Sequence, residues 1–199
     1  MNLIELVGEV RGLLNRDDLT DAQIRRFVRQ SCTMLSRTLR IPSMEVTASY
    51  ELAEADYVPL PGGYLELKHI SVDNRPLDFM DFNHLNSLPR VRGTPTHFSR
   101  VADRWVFSPI PAPGSRVDVI YYADPAPLTT DTSTNSLTGP AEDAIIYGAL
   151  VKACEFLVDE RMPVFEAAMQ REILSLMQQA AKTDYTGGIY AVRPVSIEY

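Results

Sequence analysis

An α+β fold follows from three features of the 199-residue chain. Two apolar stripes of helical period open it. A run of short alternating segments, punctuated by proline and glycine, fills the middle. Two further helical stretches, joined by a short break, come late. The expected architecture is a helical bundle, two N-terminal helices plus a C-terminal helix hairpin, with an inserted small antiparallel β-sheet or sandwich and an extended C-terminal arm. The divisions fall at 1–42 for the first helices, 43–139 for the β domain, 140–183 for the hairpin and 184–199 for the arm.

In the first helix Leu3, Ile4, Leu6, Val7, Val10, Leu13 and Leu14 recur at helical spacing. The polar run 15–18 breaks it. Thr20 followed by Gln23 then reads as a capping box, with Leu19 and Ile24 in the positions of a hydrophobic staple. The second helix buries Ile24, Phe27, Val28, Ser31, Cys32, Leu35 and Leu39, presents Arg25, Arg26, Arg29 and Arg37 elsewhere, and ends before Pro42.

Segments 44–52 and 64–72 alternate as strands, with a short extended piece at 57–60 and a turn at 61–63. A turn at 73–76 leads to a returning strand at 77–79, and Asp81 caps a short helix reaching Leu88. Residues 96–101 and 104–108 flank Ala102-Asp103 as a hairpin. The run 116–122 is the clearest strand. Prolines at 59, 61, 76, 95, 109, 111 and 113 favour short strands and edge positions. Trp105, at a strand start, reads as core.

After a polar loop at 124–139, Pro140 suits the first turn of a helix over 141–159. Its apolar residues cover most of the circumference, which predicts burial on several sides. Burial inside the chain and burial against a neighbouring subunit both fit, and Tyr147, Leu150, Lys152 and Glu155 are the candidate subunit contacts. Arg161-Met162-Pro163 breaks the chain, and a helix over 164–182 completes an antiparallel hairpin. Beyond it, Gly187-Gly188 precedes a segment too apolar for a solvated tail. That segment is expected either to dock as a final strand or, the favoured reading, to insert into a partner.

Composition narrows the function. Hydrophobic residues are 45% and charged residues 23% of the chain. A chain of this length buries roughly 70% of its unfolded surface, enough to fold without metal or disulfide. Cys32 and Cys154 are expected to be reduced core residues, and no secretory signal or membrane-spanning run is visible, so folding in a cytoplasm is expected. The net charge is −7, unevenly spread, with seven arginines against five carboxylates in residues 1–40. Such an acidic chain is a poor wrapper of nucleic acid, whose affinity comes from phosphate neutralisation.

Catalytic patterns are missing from the sequence. It has no phosphate loop, no dinucleotide fingerprint and no nucleophile elbow. His69, His84 and His97 lack metal-ligand spacing. Asp17, Asp18 and Asp21 lack the register of a calcium loop. The expectation is a non-enzyme with no cofactor and no metal.

One ordered stretch resembles a known family. Trp105-Val106-Phe107-Ser108-Pro109-Ile110-Pro111 leads into the strand 117–122, then Ala123-Asp124-Pro125-Ala126-Pro127-Leu128, Thr134-Asn135-Ser136-Leu137, Pro140 and the helix 144–159. This order resembles tailed-bacteriophage head–tail adaptor (connector) proteins, including those related to tail tubular protein A, over residues 100–180. The resemblance implies a virion protein at the head–tail junction, made in the host cytoplasm. It implies a ring of about twelve copies, docked below the portal protein. A tail, nozzle or stopper protein would sit on its far side. Double-stranded DNA would pass its lumen without sequence-specific binding, and no membrane is involved. C-terminal segments of the family commonly reach the portal, which here points to Tyr185, Tyr190, Arg193, Ile197 and Tyr199. The competing class is a β-sandwich that holds a glycan or other ligand on aromatic residues such as Tyr50, Tyr57, Tyr64, Phe79, Phe82 and Phe98. Another neck or tail-completion protein is a closer neighbour of the first reading.

Overall fold

The computed structural model describes residues 1–52 and 57–185. It divides into a helical unit, formed by Met1–Pro42, Leu128–Thr134 and the described residues from Thr138 onward, and a β unit, formed by Ser43–Pro127 and Asn135–Leu137. The fold is α+β, as expected.

In the helical unit α1 spans Leu3–Leu14 and α2 spans Asp21–Thr38. Both start on reciprocal caps. The Gln23 N–H donates to Thr20 Oγ1 at 3.3 Å while the Thr20 N–H donates to Gln23 Oε1 at 2.8 Å. A second box, not read from the sequence, joins Asn2 and Glu5, with the Glu5 N–H donating to Asn2 Oδ1 at 3.0 Å. Leu19 and Ile24 are both buried, as a staple requires. The N–H groups of Leu3 and Ile4, orphaned by the helix start, donate to the carbonyls of Ser133 and Asp131 at 3.2 and 3.0 Å.

The later helices are α4, Glu142–Leu157, and α5, Met162–Tyr185, with α3 in the β unit. Helix α4 packs against α1, α2 and α5. Burial within one chain therefore accounts for most of its apolar circumference, though not for Phe156, which stays exposed. Ala144, Ile145, Ala149, Leu150, Ala153 and Cys154 are all fully buried. The break between α4 and α5 comes earlier than the sequence suggests. Val158 takes the left-handed conformation (φ 54°) and the Asp159 N–H donates to the Cys154 carbonyl at 2.9 Å, closing the helix in the manner of a Schellman turn. Pro163 lies inside the first turn of α5, where its missing N–H removes no helical bond. Helix α5 also continues past residue 182 to Tyr185.

The β unit is a sandwich of two four-stranded sheets. Its strands are β1 Glu45–Glu51, β2 Tyr57–Pro59, β3 Tyr64–Val72, β4 Arg75–Pro76, β5 Asp78–Phe79, β6 His97–Val101, β7 Arg104–Ser108 and β8 Arg116–Ala123. One sheet runs β1-β8-β3-β4 and the other β2-β7-β6-β5. The expected turn at 73–76 already pairs back through residues 75–76, and the expected returning strand at 77–79 does not return to the same sheet. Strand β4 stays with β3, Leu77 turns into the core, and β5 joins the other sheet, parallel to β6. All other pairings between these strands are antiparallel. Helix α3, Phe82–Ser87, starts on the Asp81 cap as expected. The inner faces bury Val58, Ile70, Val72, Phe98, Trp105, Phe107, Val117, Val119 and Tyr121. Trp105 is fully buried, with Tyr64 edge-on at 5.5 Å.

Candidate interaction surface

An open groove of about 880 Å³ runs along the seam of α2 and α4. Helical period explains its chemistry. The residues of α2 that face α4 are apolar, and those one step around the helix are cationic. Apolar lining comes from Phe27, Met34 and Phe156, and cationic lining from Arg26, Arg29, Arg37 and Lys152. The rings of Phe27 and Phe156 lie 5.9 Å apart. Phe156 is 58% exposed, a large aromatic left largely in water. Arg29 is engaged, its Nε donating to the Leu128 carbonyl at 2.7 Å. Lys152 pairs with Glu155 at 2.8 Å and holds that carboxyl below its ordinary value. Arg26 and Arg37 have no ion-pair or hydrogen-bond partner among the described residues.

Of the four expected subunit contacts, Lys152 and Glu155 line this groove. Tyr147 is half-buried, and Leu150 is fully buried. Leu150 thus supports α4 from within, because α4 is enclosed by three helices, and it presents nothing to a partner. Of the expected arm contacts, Tyr185 is the last residue of α5. Tyr190, Arg193, Ile197 and Tyr199 lie outside the described residues.

The seam is fixed by a close approach. A methyl group added at Gly148 would run into the Ser31 hydroxyl and come within 3.2 Å of Ser31 Cβ and 3.4 Å of Met169 Sδ. The spacing of apolar residues carries no sign of this contact. At the end of α4 a polar cluster ties three elements together. Arg161 donates to Asp159 from Nη2 at 2.8 Å and from its backbone N–H at 3.0 Å. It also donates to the Leu14 carbonyl at the end of α1 at 2.9 Å. The Arg161 hydrogen bonds hold the Asp159 carboxyl well below the usual carboxylate range. The sequence shows Asp159 only as one of two adjacent acids.

Among the described residues, no group of three or more His, Cys, Asp or Glu is placed to hold a metal ion. Burial pushes the Cys32 thiol up to about 11, away from reactivity at neutral pH. The β unit has a cavity of about 280 Å³ lined by Tyr57, Phe82, Leu85, Arg90, Arg104 and Ile110, among others. Of the aromatic residues proposed to hold a glycan, Tyr57 and Phe82 reach this cavity. Phe98 is buried and Phe79 packs edge-on against it at 5.8 Å. No described helix is long and apolar enough to cross a membrane.

Comparison with curated proteins gave no match. Comparison with protein families gave one over almost the whole chain. The model of the SU10 adaptor protein family matches residues 1–194. That match spans far more than half of the sequence, and the chain belongs to the SU10 adaptor protein family of phage structural adaptors.

Proposed function

We propose that this chain is a protomer of the ring, of about twelve copies, that docks below a phage portal, joins head to tail and lets duplex DNA pass. The family match over residues 1–194 carries the reading. A net charge of −7 suits a DNA conduit, because an acidic wall does not trap the duplex. A ring also needs two different surfaces on each protomer. The α2/α4 groove, with exposed Phe156 and two arginines unpaired among the described residues, has the character of one of them. The C-terminal segment with Tyr190, Arg193, Ile197 and Tyr199 is proposed to reach the portal, and a tail, nozzle or stopper protein to take the opposite side.

Native mass and negative-stain imaging of the full chain at high concentration test the ring. The expected result is a closed assembly of about twelve protomers with a central hole. A chain that is monomeric alone and also on isolated portal rings overturns the proposal. The glycan-binding alternative rests on Tyr57 and Phe82 at the β-unit cavity and would be favoured by specific glycan capture.

A further inference from the structure

Two surfaces of the helical unit complement each other, and they lie on opposite sides of it. The first is the α2/α4 groove, with Arg26 and Arg37, unpaired among the described residues, beside exposed Phe156. The second is the outer face of α1. The buried residues Leu3, Leu6, Val7, Val10 and Leu14 turn inward, leaving Ile4, Gly8, Glu9, Gly12 and Leu13 outward. Ile4 is 50% and Leu13 48% exposed. Glu9 has no ion-pair partner among the described residues. Gly8 and Gly12 sit one turn apart, and a Cβ at either would meet nothing within 4 Å. Packing inside the protomer therefore gives no reason for two helix-weakening glycines. A second helix or a bulky side chain approaching from outside does.

The placement follows from the helix geometry. Helix α1 packs against both α2 and α4, and so occupies one side of their seam. Asp21 of α2 pairs with Arg11 of α1. Gln30, in the groove, comes two and a half turns later and so points the opposite way around α2. The groove therefore opens away from α1, and the outer face of α1 looks away from the groove.

We infer that the α2/α4 groove of one copy receives the outer face of α1 of the next, a head-to-tail contact between identical chains. Glu9 then faces Arg26 and Arg37, while Ile4 and Leu13 cover Phe156 and Met34. The glycine notch lets the two helical surfaces close. Opposite placement means that each added copy exposes a fresh groove, so the contact propagates, and it closes where the rotation per copy divides the circle. Glu9 complements the cationic rim, and the apolar lining of Phe27, Met34 and Phe156 selects this occupant over duplex DNA, because phosphate makes no use of it. The inference rests on the ring reading and names the surfaces that build it.

The test uses the full chain with paired surface cysteines, since Cys32 and Cys154 are buried. A chain carrying both Leu13→Cys and Gln30→Cys, which leaves the glycine notch open, treated with a short bismaleimide, is expected to give a ladder of covalent oligomers. Each single-cysteine chain alone should give none, and a mixture of the two should give dimers only. Arg26→Glu with Arg37→Glu should weaken self-association by more than about tenfold, and adding Glu9→Arg should recover most of it. Several outcomes overturn the inference. If the unmodified chain does not self-associate at millimolar concentration, the contact fails and self-assembly in the ring reading fails with it. If it forms rings but gives no ladder, or the arginine variant assembles normally, this contact alone fails. Cross-linked dimers from one single-cysteine chain would show a two-fold contact instead. Tight DNA-duplex binding abolished by Arg26→Glu and Arg37→Glu would reassign the groove to nucleic acid.

Discussion

Gly148 and Ser31 bring α4 and α2 together at a point where neither side chain has room to grow. The Ser31 hydroxyl is buried with no hydrogen-bond partner among the described residues, a cost of about 1–3 kcal/mol for a desolvated polar group. Gly148→Ala should therefore destabilise the chain by about 1–2 kcal/mol, the overpacking outweighing the helix-propensity gain. Ser31→Ala should be near neutral or stabilising alone and should recover part of the Gly148→Ala loss. Urea unfolding of the two single variants and the double variant measures both, and strict additivity would mean that the two sites do not share this contact. Asp159 acts differently, through charge. Its folded carboxyl titrates below the ordinary 3.8, first because Arg161 donates to it. A carboxyl with a lowered folded value contributes stability that is complete above the unfolded value and lost as pH falls through the folded one. The Tm gap between the parent chain and Asp159→Asn should thus be constant above about pH 5 and close as pH falls below about 4. An unchanged gap at low pH would assign the loss to packing.

Helix ends show how far local chemistry specifies an element. Thr20 and Gln23 satisfy each other's backbone donors at the start of α2, and Thr20→Ala should cost about 1 kcal/mol by thermal or urea unfolding. A loss near zero would mean that the Leu19–Ile24 staple alone sets the start of the helix. The α4 end is less legible. The αL position usually taken by glycine is occupied here by Val158, a β-branched residue that disfavours it, so the sequence points instead to Pro163. Proline in the first turn of α5 costs no hydrogen bond, and the real stop is the Val158–Asp159 turn held by Arg161. In the β unit, Asp78-Phe79 reads as the return of a hairpin. The tertiary structure moves it to the second sheet, because burying Leu77 carries the chain across the sandwich.

At the scale of the whole molecule, an adaptor must hold partners on more than one surface, and the segment beyond α5 is the proposed portal contact. Deletion of residues 186–199 should leave a folded chain, since the described core is made of earlier residues, yet abolish capture by isolated portal rings. Pull-down on portal with circular dichroism as the folding control measures this. A truncated chain that binds portal as well as the full chain would remove the arm from the proposed function. The apolar circumference of α4 belongs to this scale as well. It fits either core or interface, and three enclosing helices place Leu150 in the core while leaving Lys152 and Glu155 at the surface.

The residues alone determined the helices at both ends, the alternating strands between them and the buried Trp105. Each of these rests on local period, caps and turn chemistry within a few residues. The order of pieces from Trp105 through the helix 144–159 also pointed to the phage adaptor class that the family match supports. Only the tertiary structure decided the rest. Which sheet receives β5, how closely Gly148 meets Ser31, and which arginines of α2 find partners among the described residues depend on residues distant in the chain. A groove between α2 and α4 exists only once those helices cross, so its lining, drawn from residues 26–38 and 152–156, carries no signature along the sequence.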